Sequence, residues 1–236
     1  IVVRARGLPK PGEQPTMPQV MKGLTVFIAD LRNCQDKEQE QRRVEKELAK
    51  IRSKFTATAG LTGRKGLSGY DKKKYTWKLL YAYMLGYDID FGHIQAVNLC
   101  SGDKYSEKVC GYLACSLLLN ENHEVLRLIV NVIKRDISMG GASGPGQNSA
   151  FTEAVCALAL NTIGNIGGIE FAENLFPDIT RLLGPEITPY IKRKALICLL
   201  RLYRKDDSTI QLGEDTSMQN AEQDGWVSKF TAVCSK

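Results

Sequence analysis

Apolar residues recur three and four positions apart along most of the chain from Gly23 onward. Leu126, Ile129, Val130 and Ile133 show this spacing, which predicts amphipathic helices. No segment alternates apolar and polar residues in the way that predicts a strand. The predicted helices are Val20–Asn33, Asp36–Phe55, Lys72–Leu85, Gly92–Cys100, Ser106–Asn120, Glu124–Ile137, Ala150–Ile163, Ile169–Leu183, Pro189–Arg204 and a weaker one that begins near Asp207.

The later helices form consecutive pairs with a period of about 40 residues. The paired units begin near Lys72, Ser106, Ala150 and Pro189. Such a period is typical of HEAT and armadillo repeats, so the predicted fold is all-α, a right-handed α-solenoid of stacked helical hairpins. The residues predicted to be buried in this stack are Leu80, Met84, Leu99, Leu113, Leu117, Ile129, Leu158, Ile163, Leu182, Leu196 and Leu200.

The repeats are predicted to occupy residues 20–212. Residues 1–19 are rich in proline and are predicted to form a disordered lead, while the polar residues 213–236 remain unassigned. Two glycine-rich stretches, residues 56–69 and 140–148, predict surface loops. Because a stack of repeats needs capped ends, further chain or a partner is expected to follow.

Composition narrows the possible partners without identifying one. The 236 residues are 43% hydrophobic and carry a net charge of +6, which favours anionic partners but does not choose between lipid and nucleic acid. The seven cysteines are odd in number and mostly lie in apolar helical runs, which predicts buried free thiols. With two histidines and no closely paired cysteines, no metal and no cofactor are predicted. The apolar runs are too short to cross a bilayer, so any membrane contact is predicted to be peripheral.

Two short motifs resemble enzyme signatures but lack the residues that accompany them. Residues 90–92 read Asp-Phe-Gly, like the metal-binding triplet of protein kinases, yet no kinase glycine-rich loop or catalytic-loop sequence precedes them. Residues 141–146 have the spacing of a phosphate-binding loop, but Gln147 and Asn148 stand where lysine and serine or threonine are required. The chain also has no nucleophile placed beside a base, so it is predicted not to be an enzyme.

A cluster of cations opens the third predicted helix. Residues 72–74 are three lysines that directly follow Asp71, and Lys78 lies one turn further on the same face. Because a helix N-terminus attracts anions and repels cations, this placement indicates an anion-binding site. One alternative is a solvated helix end, and another is nucleic-acid binding with Tyr75 and Trp77 stacking on bases. The compact cluster favours a phosphorylated headgroup over a nucleic acid, whose readers spread their basic residues along a groove.

Several ordered segments of the chain match one known protein family. They read Gly-Leu-Thr-Val-Phe-Ile-Ala-Asp-Leu-Arg-Asn-Cys at 23–34, Lys-Glu-Leu-Ala-Lys-Ile-Arg-Ser-Lys-Phe at 46–55, Gly-Tyr-Asp-Lys-Lys-Lys-Tyr-Thr-Trp-Lys-Leu-Leu at 69–80 and Leu-Gly-Tyr-Asp-Ile-Asp-Phe-Gly-His at 85–93. Shorter matches follow, of which the longest is Ala-Leu-Ile-Cys-Leu-Leu-Arg-Leu-Tyr-Arg at 195–204. Over most of residues 20–204 the chain resembles the N-terminal trunk of the adaptins, the large subunits of clathrin adaptor complexes, and within them the alpha class of the plasma membrane.

This resemblance implies a scaffold subunit of a hetero-tetrameric clathrin adaptor in endocytosis and vesicle-mediated protein transport. The implied partners are the small sigma, medium mu and large beta subunits, dileucine cargo signals and phosphatidylinositol 4,5-bisphosphate. The implied location is the cytosol and clathrin-coated pits on the cytoplasmic face of the plasma membrane. Nucleic acid is not expected, and the family engages clathrin through a hinge and an appendage without counterparts here. The alternative is a helical-repeat scaffold that binds nucleic acid or an acidic protein through the same basic cluster.

The resemblance also implies two binding sites. The residues of the phosphoinositide site would be Lys22, Lys72, Lys73, Lys74, Tyr75 and Lys78. The family often has arginine at the position of Lys22, where lysine keeps the charge but not the planar fork. Arg32 would receive the acidic residue upstream of a dileucine signal, whose hydrophobic half binds the sigma subunit. The alternative for Arg32 is a cation favoured by the dipole at a helix C-terminus. The family lacks much of residues 56–66 and the loop 140–148.

Overall fold

The computed structural model describes residues 21–59, 67–140 and 149–205. These residues contain helices and no strand, which confirms the all-α prediction. The helices in the described ranges are α1 (Lys22–Arg32), α2 (Lys37–Ala59), α3 (Gly69–Met84), α4 (His93–Cys100), α5 (Tyr105–Leu118), α6 (Leu126–Gly140), α7 (Ser149–Ile166), α8 (Ile169–Arg181) and α9 (Pro189–Lys205). The predicted lead 1–19, the helix near Asp207, the tract 213–236 and most of the two glycine-rich stretches lie outside the described residues. In the described ranges, no helix combines the length and apolar character needed to cross a bilayer.

The helices stack in two layers. Helices α3, α5, α7 and α9 lie side by side in the first layer, and α4, α6 and α8 form the second. Helices α1 and α2 pack against α3 at the start of the stack. The first-layer helices begin at Gly69, Tyr105, Ser149 and Pro189, which keeps the predicted period. The prediction that each first-layer helix pairs with the helix that follows it was wrong. Instead, α4 packs most extensively on α5, and α6 packs most extensively on α7.

A close backbone approach explains the pairing of α4 with α5. A Cβ atom on Gly111 would lie 2.5 Å from the backbone nitrogen of Cys100 and 2.8 Å from the carbonyl oxygen of Ala96. Real Cβ atoms do not tolerate such distances, so the approach requires glycine at this position. Hydrophobic periodicity carries no information about this contact, and for that reason the sequence did not reveal which neighbour α5 prefers.

A continuous apolar core runs from α3 to α9, and two smaller clusters centre on Phe27 and Ile51 between α1, α2 and α3. The prediction of burial is confirmed for Leu80, Leu99, Ile129, Ile163, Leu182 and Leu196, whereas Leu158 is half-buried. It is wrong for the exposed residues Met84, Leu113, Leu117 and Leu200.

The four exposed residues show that apolar periodicity alone does not reveal which apolar side chains are covered by other parts of the protein. Met84 is the last residue of α3 and is 73% exposed. Leu113 and Leu117 lie on α5 and Leu200 on α9, all in the first layer. The apolar stripe of a helix can be wide enough to pack against two neighbouring elements at once, and here the described residues cover only part of it. The first layer therefore presents an apolar face to its surroundings.

A buried polar triad ties three helices together. Lys108 Nζ of α5 donates hydrogen bonds to Asp136 Oδ2 of α6 at 2.6 Å and to the carbonyl oxygen of Cys100 in α4 at 2.8 Å. The Tyr112 hydroxyl donates to the same Asp136 oxygen at 2.7 Å. All of these side chains are buried, so each polar group finds its partner inside the protein.

The described cysteines are free thiols, as predicted. Five of these six are buried, and Cys34 at the end of α1 is half-buried. Burial raises the pKa of Cys110, Cys156 and Cys198 to about 12. These thiols therefore stay protonated at neutral pH and behave as small apolar side chains.

Candidate anion-binding site

Helix α3 begins at Gly69, three residues before the predicted start. Ser68 is the N-cap residue, and its hydroxyl oxygen accepts a hydrogen bond from the Asp71 backbone nitrogen at 3.1 Å. The same hydroxyl donates to Asp71 Oδ2 at 2.7 Å. An acidic side chain thus occupies the first turn, where the helix dipole favours it. The three lysines follow in the second turn, so their conflict with the dipole is weaker than the sequence indicated.

Lys74 connects the start of α3 to the start of α1. Its Nζ forms an ion pair with Asp71 Oδ1 at 2.7 Å and lies 4.8 Å from the ring centre of Tyr75. Burial is the largest single influence and lowers the pKa of Lys74, but the hydrogen bond to Asp71 and the nearby charges together outweigh it and raise the pKa. A Cβ atom on Gly23 would lie 3.2 Å from Lys74 Cδ, so the first turn of α1 rests against the lysine stem.

Three further lysines lie at this junction of helix starts. Lys22 is the first residue of α1 and is exposed beside Gly23. Lys73 Nζ donates a hydrogen bond to the hydroxyl of Ser106, in the first turn of α5, at 3.0 Å. Lys72 is partly exposed and forms no ion pair with any described residue. Lys22 thus opens α1, and Lys72, Lys73 and Lys74 lie near the start of α3, which α1 contacts; we call these four lysines the basic patch.

The two other predicted members of the site lie beneath this surface. Lys78 is only 5% exposed and forms an ion pair with Glu47 of α2. Tyr75 is buried, and its ring packs edge-on against Phe55 with centroids 6.1 Å apart. In this arrangement neither side chain is presented to a ligand in solution.

Lys54 of α2 is a cation that the sequence reasoning missed. Hydrogen bonds from Lys74 and Ser68 hold the pKa of Asp71 below its usual value, and the charge of Lys54 contributes to the same shift. Lys54 therefore lies near the start of α3, although 16 residues separate it from Asp71. The signal that could have found it is its place on α2 directly before Phe55, whose ring packs against Tyr75.

Arg32 does not join the basic patch. It is the last residue of α1, exposed, and without an ion pair to any described residue. Lys22 occupies the first position of the same helix. At 1.5 Å per residue, the two ends of α1 are about 15 Å apart. The two predicted sites therefore lie at opposite ends of one helix.

A second surface feature lies on the first layer. A groove with a volume of about 350 Å³ runs across α5, α7 and α9. Its lining includes the exposed side chains of Leu113 and Ile197, the latter 63% exposed, together with Leu158 and the polar residues Asn161 and Lys194. We call this feature the first-layer groove. Its exposed apolar lining suits a protein contact better than a small polar ligand.

The kinase-like triplet at 90–92 forms a structural corner. Gly92 has a positive φ of 90° at the N-cap of α4, and Arg52 of α2 pairs with Asp90 at 2.7 Å. Arg52 also lies 4.6 Å from the ring centre of Phe91. These contacts fix the loop between α3 and α4. Among the described residues, no three histidine, cysteine or acidic side chains come together as metal ligands.

Comparison with known proteins identifies related sequences. A family model described as the adaptin N terminal region matches residues 40–227. The chain is 46% identical to the AP-2 complex subunit alpha-1 of Arabidopsis thaliana, over 90% of this chain and 18% of that protein. It is 48% identical to the AP-2 complex subunit alpha of Schizosaccharomyces pombe, over 78% of this chain and 19% of that protein. Identity to the AP-1 complex subunit gamma-1 of Mycosarcoma maydis is 34%, over 83% of this chain and 20% of that protein. The chain thus spans about a fifth of the length of these relatives.

Proposed function

The chain belongs to the adaptin family, and from this premise we propose that it is the membrane-facing part of a large subunit in a clathrin adaptor complex. In this role it is a non-enzymatic scaffold for endocytosis and vesicle-mediated protein transport. It acts at clathrin-coated pits on the cytoplasmic face of the plasma membrane and exchanges with the cytosol. Its similarity is higher to the alpha subunits than to the gamma subunit, which supports the plasma-membrane class.

The basic patch binds the headgroup of phosphatidylinositol 4,5-bisphosphate. The observation that supports this proposal is the contact between α1 and α3, where Gly23, the residue after Lys22, lies against the stem of Lys74. Each basic side chain at an anionic membrane surface contributes about 1 kcal/mol. Four such lysines contribute at most about 4 kcal/mol together to membrane attachment, with Tyr75 and Lys78 supporting the patch from below.

Vesicle flotation tests this proposal with Lys72→Gln/Lys73→Gln. Removal of two charges is expected to weaken retention by about 2 kcal/mol, which is roughly thirtyfold. The matched control is Lys37→Gln/Lys46→Gln, which removes two exposed lysines from α2 and should change retention less than twofold. Vesicles with phosphatidylserine at equal charge show whether the bisphosphate is required. Equal retention of the wild type and the basic-patch variant would refute the site.

Arg32 binds the acidic residue upstream of a dileucine cargo signal. Its exposure and its lack of an ion pair with the described residues support this role, because the guanidinium is available for a carboxylate. We expect Arg32→Gln to weaken binding of an acidic dileucine peptide by about tenfold, and Arg32→Lys to retain part of the affinity. Isothermal calorimetry on the complex measures both variants. An unchanged affinity in Arg32→Gln would exclude this role.

The sigma, mu and beta subunits of the adaptor are the proposed protein partners. Support comes from the exposed apolar side chains of the first-layer groove, which α5, α7 and α9 present together. Apolar side chains of this size are unfavourable in water, and a partner subunit would remove them from it.

A further inference from the structure

A threonine and a proline stand together where α9 begins. The chain contains eight prolines, and Pro189 is the only one that follows a serine or a threonine. The threonine, Thr188, ends the loop between α8, whose last residue is Arg181, and α9, whose first residue is Pro189. Both residues are exposed. The chain therefore presents a single Thr-Pro pair, and it lies at the surface between two helices.

Such a pair is what a proline-directed protein kinase recognises. Proline has no backbone N–H group, so it suits a pocket without a hydrogen-bond acceptor, where any other residue would leave its N–H group unpaired. A kinase also needs the residues around the acceptor hydroxyl to be extended. The loop before Thr188 is not helical, and the residues after it form the first turn of α9, where a helix opens most readily. Thr188 is therefore accessible in the way that such a kinase requires.

The Thr188 hydroxyl connects the start of α9 to the start of α7. It donates a hydrogen bond to Glu153 Oε1 at 2.7 Å, and Glu153 lies in the second turn of α7. A phosphorylated threonine has no hydroxyl proton to donate, and its phosphate carries a charge of about −1.5 to −2 at neutral pH. The phosphate would face the carboxylate of Glu153, and the two negative groups would repel each other. Phosphorylation therefore breaks this contact between α7 and α9.

Basic side chains near Thr188 can receive the phosphate in place of Glu153. Lys192 follows Thr188 by one turn, and its Nζ lies 3.4 Å from the carbonyl oxygen of Pro185 in the loop before α9. The ammonium group of Lys192 therefore folds back over the loop that carries Thr188. Arg193, the next residue, is exposed and adds a second cation. The phosphate is thus attracted by the side chains of α9 and repelled by the carboxylate of α7.

We propose that Thr188 is a phosphorylation site for a proline-directed protein kinase, and that its phosphate releases the start of α9 from Glu153 of α7. In the reaction the Thr188 hydroxyl oxygen attacks the γ-phosphorus of ATP. The new oxygen–phosphorus bond forms as the bond to ADP breaks, and the hydroxyl proton passes to the catalytic base of the kinase. Neither the basic patch nor Arg32 takes part in this step.

The modified surface borders the first-layer groove. A neighbouring cavity of about 380 Å³ is lined by Glu153 and Tyr190, and it shares Leu158 and Asn161 with the groove. Release of Glu153 from Thr188 would loosen the two helices that form the walls of this cavity. The phosphate therefore acts at one end of the surface that is proposed to contact partner subunits, a consequence that rests on that proposed contact, whereas the phosphorylation itself does not.

The first experiment uses the complete protein, purified with the subunits that accompany it, together with ATP and a purified mitogen-activated protein kinase. Trypsin cleaves after Arg181 and Lys192, and the peptide between these sites has Thr188 and Tyr190 as its only hydroxyl side chains. We expect mass spectrometry to find phosphate on Thr188 in the wild type and none on this peptide in Thr188→Val. An unmodified peptide from the wild type, while a standard peptide substrate is phosphorylated in the same tube, would overturn the proposal.

Replacement of the proline tests the recognition. Pro189→Ala keeps the acceptor hydroxyl and should slow phosphorylation of Thr188 at least tenfold, because the alanine N–H group is left unpaired in the kinase pocket. The matched control is Pro185→Ala, which replaces another exposed proline of the same loop and should change the rate less than twofold. Equal rates for the wild type and Pro189→Ala would exclude a proline-directed site.

Hydrogen exchange tests the release of α9 from α7. We expect phosphorylation to speed amide exchange in the first two turns of α7 at least threefold, while α4 keeps the rates of the unmodified protein. Glu153→Gln removes the carboxylate, and its side-chain amide can donate a hydrogen bond to the phosphate, so phosphorylation of this variant should change the same rates less than 1.5-fold. No acceleration in the wild type, or equal acceleration in both proteins, would overturn the role of Glu153.

Discussion

At the scale of single residues, two imidazole rings meet where α4 begins. His93 is the first residue of α4, and its ring centroid lies 4.7 Å from that of His123 in the loop between α5 and α6. Burial and the neighbouring His123 lower the pKa of His93, while the charge of Asp90 opposes the shift. Because His93 binds a proton less readily in the folded state than in the unfolded chain, the folded state loses stability as the pH falls and the unfolded chain takes up protons.

We expect the free energy of unfolding to fall between pH 7.5 and pH 5.5. At pH 7.5, about one unit above the ordinary histidine pKa of about 6.5, the imidazole is mostly neutral in both states and its contribution is nearly complete. Below that value the unfolded chain takes up a proton, whereas folded His93 does not until its own lower pKa is reached. Thermal unfolding at both pH values should show a smaller difference in His93→Gln than in the wild type. Equal differences in the two proteins would contradict this account.

The sequence located the lysines of the candidate site but not their exposure. Spacing alone predicted correctly that Lys78 follows one turn after Lys74, since this is a local property of a helix. Its burial depends on Glu47, which lies 31 positions earlier in another helix. No periodic pattern within α3 records that contact, so the inward direction of Lys78 could not be predicted.

At the scale of elements, local sequence signals determine where most helices form, whereas contacts between residues far apart in the sequence determine which helices pack together. Helix α3 begins at Gly69 and not at the predicted Lys72, because Ser68 and Asp71 form an N-terminal cap. The sequence contains both capping residues, but the prediction did not use them. The existence and type of the helices in the described ranges followed from apolar spacing. Their pairing did not, because it depends on where backbones approach closely, as at Gly111.

The buried triad supplies a test at this scale. We expect Lys108→Met to lower the free energy of unfolding by about 3–5 kcal/mol, because Asp136 would remain buried without its main cation. Lys108→Met/Asp136→Leu should be less destabilised than the single variant, since it leaves no buried charge. Lys104→Met, an exposed substitution one turn earlier, should change stability by less than about 0.5 kcal/mol. Urea unfolding measures all three variants, and equal losses in the single and double variants would argue against the mechanism.

At the scale of the whole molecule, the stack is open on its first layer. Leu113 and Ile197 are exposed on α5 and α9 and line the first-layer groove. Relatives of this chain are several times longer and bear the names of complex subunits. The apolar spacing therefore identified Leu113 as one residue of an apolar helix face, although no described residue covers its side chain.

Leu113→Asp/Ile197→Asp tests the groove as a subunit contact. We expect co-purification of the sigma subunit to fall at least tenfold, because two charges would replace apolar side chains at the contact. The fold should be retained, since both side chains are already exposed. Leu128→Asp on α6 in the second layer is the matched control and should leave assembly unchanged. Normal assembly of the groove variant would exclude this surface as the contact.

The buried triad of Lys108, Tyr112 and Asp136 also constrains how related sequences can diverge. Lys108 and Asp136 are acceptable only together, because a buried charge without its main partner is far more costly than a missing pair. Evolution should therefore change positions 108 and 136 together. In an alignment of adaptins, sequences with an apolar residue at position 108 should also have lost the acid at position 136.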